Sequence, residues 1–166
     1  MKIILTVILG LIFTTSAFSQ EAAAEPQKID EFGRIFCCDF GARVDIAKIT
    51  QMANPSARIY FIYYGALKDE VTRYDKRGQK KTTLVNPMRG GFRDFQKGLQ
   101  NRAGFQRVDM TNFVVVNGGY RERMAVEIWL VPAGAEPPRP SATVDEKTVR
   151  FRKGIQRHFT GICDDI

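Results

Sequence analysis

The chain is poor in the residues that most enzymes use. His158 is its only histidine, and Cys37, Cys38 and Cys163 are its only cysteines. A structural zinc site takes four ligands of Cys, His or acid type at short spacings. A Cys-Cys doublet with partners at the far end of the chain has no such spacing. A Cys-His nucleophile pair needs thiolate and imidazole in hydrogen-bond reach, and a sole histidine between Arg157 and Phe159 reads as an ordinary surface residue. No Gly-x-Ser-x-Gly elbow and no Gly-x-x-x-x-Gly-Lys-Ser/Thr loop occurs, which removes the usual acyl-transfer and nucleotide-binding signatures. The acid pairs Asp69-Glu70, Asp145-Glu146 and Asp164-Asp165 are adjacent in sequence, whereas glycoside cleavage needs two acids across a cleft, roughly 5–10 Å apart. No catalytic residue, metal or cofactor is assigned, and the chain reads as a non-enzyme.

Long apolar runs are equally scarce. The one example, Ile3 to Phe13, follows Lys2 and precedes Ala17-Phe18-Ser19, the three parts of a secretory signal peptide over residues 1–19. It is shorter than the about 20 residues that span a bilayer, and no cysteine lies beside it to accept a lipid. The expectation is export to the periplasm or outside, with a mature chain from Gln20, no transmembrane segment and one domain. The full sequence carries a net charge of +7; losing Lys2 removes one unit of it. The excess favours polyanionic partners, and export disfavours nucleic acid among them.

In an oxidising compartment three cysteines imply one disulfide and one odd thiol. The most useful bond joins Cys163 to Cys37 or Cys38, because closing so long a loop stabilises by as much as about 4–5 kcal/mol in the chain-entropy account. A vicinal Cys37–Cys38 bond would strain the intervening peptide.

Residues 20–40 read as a mobile Ala/Glu/Pro stretch, then an extended entry with a turn near Gly33. From Gly41, Ala42, Ile46, Ile49 and Ala53 recur at helical spacing, and Asn54-Pro55-Ser56 ends that helix. Arg58 to Tyr64 is β-branched and aromatic at both alternating sets of positions, as in a central strand covered on both faces. Leu67 to Pro87 is polar and basic, an exposed loop or hairpin. Phe92, Phe95 and Leu99 mark a second amphipathic helix beginning near Gly90. Asn112 to Val116 is a short strand, Asn117-Gly118-Gly119 a turn, and Met124 to Val131 a strand with one apolar and one mixed face, paired to its predecessor as an antiparallel hairpin. Residues 132–143 form a Pro-rich linker. The tail, 144–166, holds a short strand at Thr148 to Arg152 and is tethered through Cys163.

Helix, strand, helix, strand, strand over residues 41–131 is an α/β sandwich: a small mixed sheet with two helices on one face. The helical crossover makes the strands at Arg58 and Asn112 parallel. This order, with a strand ending in Gly65, a helix ending near Leu99, Gly118-Gly119-Tyr120 and the final-strand run Val126-Glu127-Ile128, resembles the C-terminal periplasmic domain of the OmpA-like family. The resemblance implies peptidoglycan binding, with an acid after the strand-ending Gly and an Arg in the following helix holding amine and carboxylate groups. On this chain those are Asp69 or Glu70, and Arg89 or Arg93. His-Thr-Asp is replaced by Ala66-Leu67-Lys68, and the pair of Arg before the last strand by Met124 and Ala125. Gly118 to Glu122 followed by Val126-Glu127-Ile128-Trp129 is also similar to small secreted bacterial proteins of unassigned function.

The densest functional signal is basic. Lys68, Arg73, Lys76, Arg77, Lys80, Lys81, Arg89 and Arg93 face only Asp69, Glu70 and Asp75 between residues 68 and 93, and Tyr74 among them can stack on a sugar. The leading expectation is a binding domain contacting peptidoglycan or another anionic envelope polymer through Asp69, Glu70, Tyr74, Arg89 and Arg93. The alternative is a structural module that binds a protein partner.

Overall fold

The structure, a computed structural model, describes residues 24–105, 110–153 and 163–164. The expected signal peptide and His158 lie outside the described residues, as do the side chains of Cys37 and Cys163.

Strand β1 (Gln27–Phe32) is followed by β2 (Ile35–Phe36) and helix α1 (Cys37–Ala53). Strand β3 (Arg58–Ala66) leads into the hairpin β4 (Asp69–Tyr74) and β5 (Lys80–Val85). Helix α2 (Gly91–Phe105), β6 (Phe113–Arg121), β7 (Ala125–Val131) and β8 (Cys163–Asp164) complete the order. The main sheet runs β1-β7-β3-β6, with β3 parallel to β6 and antiparallel to β7, and β7 antiparallel to β1. It is a mixed sheet with two helices on one face, the expected α+β class. Among the described residues no helix is long and apolar enough to cross a membrane.

Strand β3 takes the centre because both of its faces are apolar. Ile59, Phe61 and Tyr63 point to the helices and join Val126, Ile128 and Leu130 of β7 in the main core, while Ile62 and Tyr64 are buried on the opposite face. Phe95 and Leu99 of α2 are fully buried at the expected spacing. The Phe95 ring stacks on Tyr63 at 5.2 Å between centroids and lies 6.4 Å from Phe61, and such pairs add about 0.5–1.5 kcal/mol each beyond area burial.

The first helix is turned the other way from its expected register. Phe40, Val44 and Ala47 face the core, whereas Ile46 and Ile49 are 51% and 64% exposed. Two apolar stripes compete on this helix. The stripe with the phenylalanine wins, since Phe40 packs 6.2 Å from Phe32 and 6.3 Å from Phe95. Arg43 fixes the same register, stacking over Phe32 and pairing with Asp30.

The expected hairpin between β6 and β7 does not form, because β3 lies between them. Asn117-Gly118-Gly119 is not a turn but the middle of β6, where the register with β3 shifts by one residue. Gly119 takes φ +86° at this bulge, and a Cβ on Gly118 would stand 2.5 Å from the Tyr64 ring. The glycines therefore serve a bulge and a close approach. The short strand expected at Thr148 to Arg152 is also corrected: Glu146–Thr148 is a 3₁₀ turn capped by Asp145, and only Arg152 makes a strand-like bridge, to Met88.

Among the described residues the second sheet face buries one charge, Glu127. Glu127 accepts from Arg121 at 2.7 Å, Lys28 at 3.1 Å, Trp129 Nε1 at 3.0 Å and Tyr64 Oη at 3.2 Å. The segment after the prolines closes over this network. Ser141 donates its backbone N–H to Tyr64 Oη and its carbonyl accepts from Arg121. Beyond it, the backbone N–H groups of Thr143 and Val144 both donate to the Tyr120 carbonyl.

Candidate functional site

A cleft of about 270 Å³ opens where the parallel strands β3 and β6 end. Ligands of α/β sheets characteristically bind outside the carboxyl ends of such strands. Gly65 and Ala66 form its floor, Asn117, Gly119 and Tyr120 one wall, and the start of α2 from Gly90 to Arg93 another. Gly65 keeps the floor open, since a Cβ there would meet the Tyr120 ring at 2.6 Å. The Tyr63 hydroxyl comes up beneath Gly91, close enough that a Cβ there would lie 2.6 Å away. Burial raises the Tyr63 phenol well above its ordinary range, so the group enters the cleft as a neutral donor and acceptor.

Among the described residues Asp69 is the one acidic side chain lining this cleft, and Arg34, Arg93 and Arg152 are its basic ones. Burial pushes the Asp69 carboxyl up, against the opposing pull of Arg34, Arg152 and the Met88 backbone N–H. A desolvated carboxylate beside guanidinium groups is a charge pattern of binding sites. It can take an amine, while the guanidinium groups can take carboxylates in charge-assisted hydrogen bonds.

Of the five expected ligand-binding residues, the structure brings Asp69 and Arg93 into this cleft. Glu70 lines a neighbouring depression of about 230 Å³ that shares Arg34, Ala66 and Asp69 with the first. Its backbone carbonyl accepts from Arg34 at 2.9 Å. Arg89 does not line the cleft but stacks on Phe151 at 4.5 Å. Tyr74 stands at the outer end of the β4–β5 hairpin, 70% exposed and away from the cleft. The basic stretch is thus a regular hairpin whose turn is held by Asp75 Oδ1, which accepts from the backbone of Arg77 and Gln79.

Sequence reasoning missed Arg34, Arg152, Tyr63 and Tyr120. Arg34 follows the Gly33 bend and Arg152 belongs to the tail, so no local pattern links either to Asp69; only the topology does. Among the described residues no disulfide forms and Cys38 is a free, exposed thiol. The backbone of β8 pairs Cys163 with Ile35, just ahead of α1. No group of three or more His, Cys, Asp or Glu fit to hold a metal occurs among the described residues. No family model, curated protein or solved structure matches the chain.

Proposed function

We propose that this is an exported, non-enzymatic binding domain of OmpA-like kind that holds the peptide portion of a cell-envelope polymer, peptidoglycan or one like it. The observation that carries the reading is the meeting of Asp69 and Arg93 on one cleft at the end of the parallel strands. Asp69 receives an amine of the peptide, and Arg93 a carboxylate. The hairpin residues Arg73, Lys76, Arg77, Lys80 and Lys81 have no ion pair among the described residues, and their charge draws an anionic polymer toward the cleft. Export rests on the pattern of residues 1–19. The return of β8 to β2 favours a disulfide from Cys163 to Cys37 rather than to the exposed Cys38.

The test is co-sedimentation of the mature chain with isolated peptidoglycan. Wild type pellets with the polymer, and Asp69→Asn and Arg93→Ala each reduce the bound fraction. Unchanged binding by both variants overturns the assignment of the cleft.

A second reading, a protein-interaction module, is favoured by one observation. Ile46, Ile49 and Met52 form an exposed apolar stripe on α1, and such patches often mark partner surfaces. Chemical cross-linking in intact cells, compared between wild type and Ile49→Glu, checks it: a cross-linked species lost in the variant supports the module.

A further inference from the structure

The cleft holds more positive than negative charge, and one of its cations arrives by an unusual route. Arg34 is committed to the Glu70 carbonyl. Arg93, on α2, and Arg152, in the tail, line the cleft and make no salt bridge within 4.0 Å among the described residues. Arg152 is carried there by a strap, residues 141–152, which starts on the far face of the sheet. Ser141 is pinned to Tyr64 and Arg121, Val144 bridges Tyr120, Val149 is buried, and Phe151 packs edge-on against Tyr120 at 5.9 Å. The Arg152 backbone N–H then donates to the Pro87 carbonyl at 3.0 Å. Anchorage at both ends of the strap fixes where the Arg152 side chain leaves the backbone without using that side chain.

We propose that the strap makes the cleft selective for doubly anionic peptides: Asp69 takes one amine, Arg93 one carboxylate, and Arg152 a second carboxylate. This rests on the reading of the cleft as a peptide site and deepens it by naming the ligand class. A peptide with one carboxylate and one amine engages Asp69 and Arg93 and leaves Arg152 with only the longer-range attraction of Asp69 and no direct ion pair. A second carboxylate at the right position adds a charge-assisted contact. Because Arg152 is solvent-exposed, screening limits the gain to about fivefold in affinity. Arg152 is in this sense a specificity residue, and its removal leaves the backbone anchor of the strap to Pro87 in place.

The experiment uses a matched pair of probes and the full mature chain. N-acetyl-L-alanyl-D-isoglutamyl-L-lysine carries two carboxylates and one amine; its D-isoglutaminyl counterpart has the same shape with one carboxylate replaced by an amide. Calorimetric titration is expected to show the isoglutamyl peptide binding about fivefold more tightly to wild type. Arg152→Gln is expected to bring the ratio of the two affinities to about one, whatever common change it makes to both through Asp69, and Arg152→Lys to retain part of the preference. Equal affinities in wild type, or a preference that survives Arg152→Gln, overturns the proposal. If neither peptide binds while peptidoglycan still does, the proposal fails and the function above stands. If peptidoglycan fails as well, both fall.

Discussion

Arg121 reaches across the second face of the sheet to donate a 2.7 Å hydrogen bond to Glu127, with its guanidinium lying 3.5 Å from the centre of the Tyr64 ring. The pair joins three parts of the chain, since Arg121 ends β6, Glu127 lies in β7, and Ser141 of the strap is bonded to Arg121. Removing one partner of such a pair leaves the other charge poorly compensated. Glu127→Ala is therefore expected to destabilise the fold by about 3 kcal/mol, read as a lower midpoint in urea denaturation. A midpoint within error of wild type would show the network to be dispensable.

The same carboxylate gives the fold an acid limit. Burial alone would raise Glu127, but hydrogen bonds from Arg121, Trp129 and Lys28 outweigh it and hold the group below its ordinary value of 4.5. A depressed carboxylate contributes stability that is fully present above the unfolded value and is lost as pH falls through the folded one. Thermal melting followed from pH 7 down to pH 3 should show a decline beginning below about 4.5 in wild type, with a shallower slope in Glu127→Gln. Parallel slopes in the two proteins would contradict this assignment.

Asp69 has the opposite sign. Burial raises its carboxyl above the ordinary 3.8, so its ionised form costs stability once pH exceeds the raised value, and that cost vanishes below the ordinary one. Asp69→Asn is accordingly expected to melt no lower than wild type at pH 7, and somewhat higher, while losing peptide binding. Wild-type binding should also weaken as acid protonates Asp69. A destabilised Asp69→Asn protein would point to a structural carboxylate instead.

Gly65 links the fold to the cleft through one close contact. A Cβ there meets the Tyr120 ring at 2.6 Å, so Gly65→Ala must move a residue that forms a cleft wall. The expected cost is about 1–3 kcal/mol of stability from overpacking, together with weakened binding. Retention of both would mean that Tyr120 gives way freely.

The register of α1 is open to a direct comparison. Val44 is fully buried and Ile49 is 64% exposed. Val44→Ala should cost about 1–3 kcal/mol, and Ile49→Ser within about 0.5 kcal/mol of nothing. The reverse ranking would restore the face that the apolar spacing alone suggests.

The sequence carried the element types well and the partnerships less well. Strand β3 and helix α2 were legible because each presents a single dominant pattern: apolar residues on both faces in Arg58 to Tyr64, and Phe92, Phe95 and Leu99 at helical spacing. Helix α1 presents two apolar stripes, and spacing cannot rank them; the choice falls to the aromatic contacts of Phe40 with Phe32 and Phe95, which only the fold brings together. Gly118-Gly119 reads as a turn by composition, yet the pair accommodates Tyr64 and a bulge inside β6. At the site, Asp69 and Arg93 could be named among the alternatives because the resemblance points to an acid after the strand-ending Gly65 and an Arg at the following helix. Arg34 and Arg152 lie far from them in sequence, and are brought to the cleft by the bend after β1 and by the strap.

The central claim is that a shaped cleft, and not net charge, binds the envelope polymer. Its most direct test is co-sedimentation of the mature protein with isolated peptidoglycan from low salt to about 0.5 M, where the Debye length is only a few Å. Contacts of the basic hairpin are screened away under those conditions, whereas close hydrogen-bonded pairs at Asp69 and Arg93 persist. The account predicts binding that survives the salt and disappears in the Asp69→Asn, Arg93→Ala double variant. Binding that vanishes with salt in wild type, or that survives in the double variant, would contradict it.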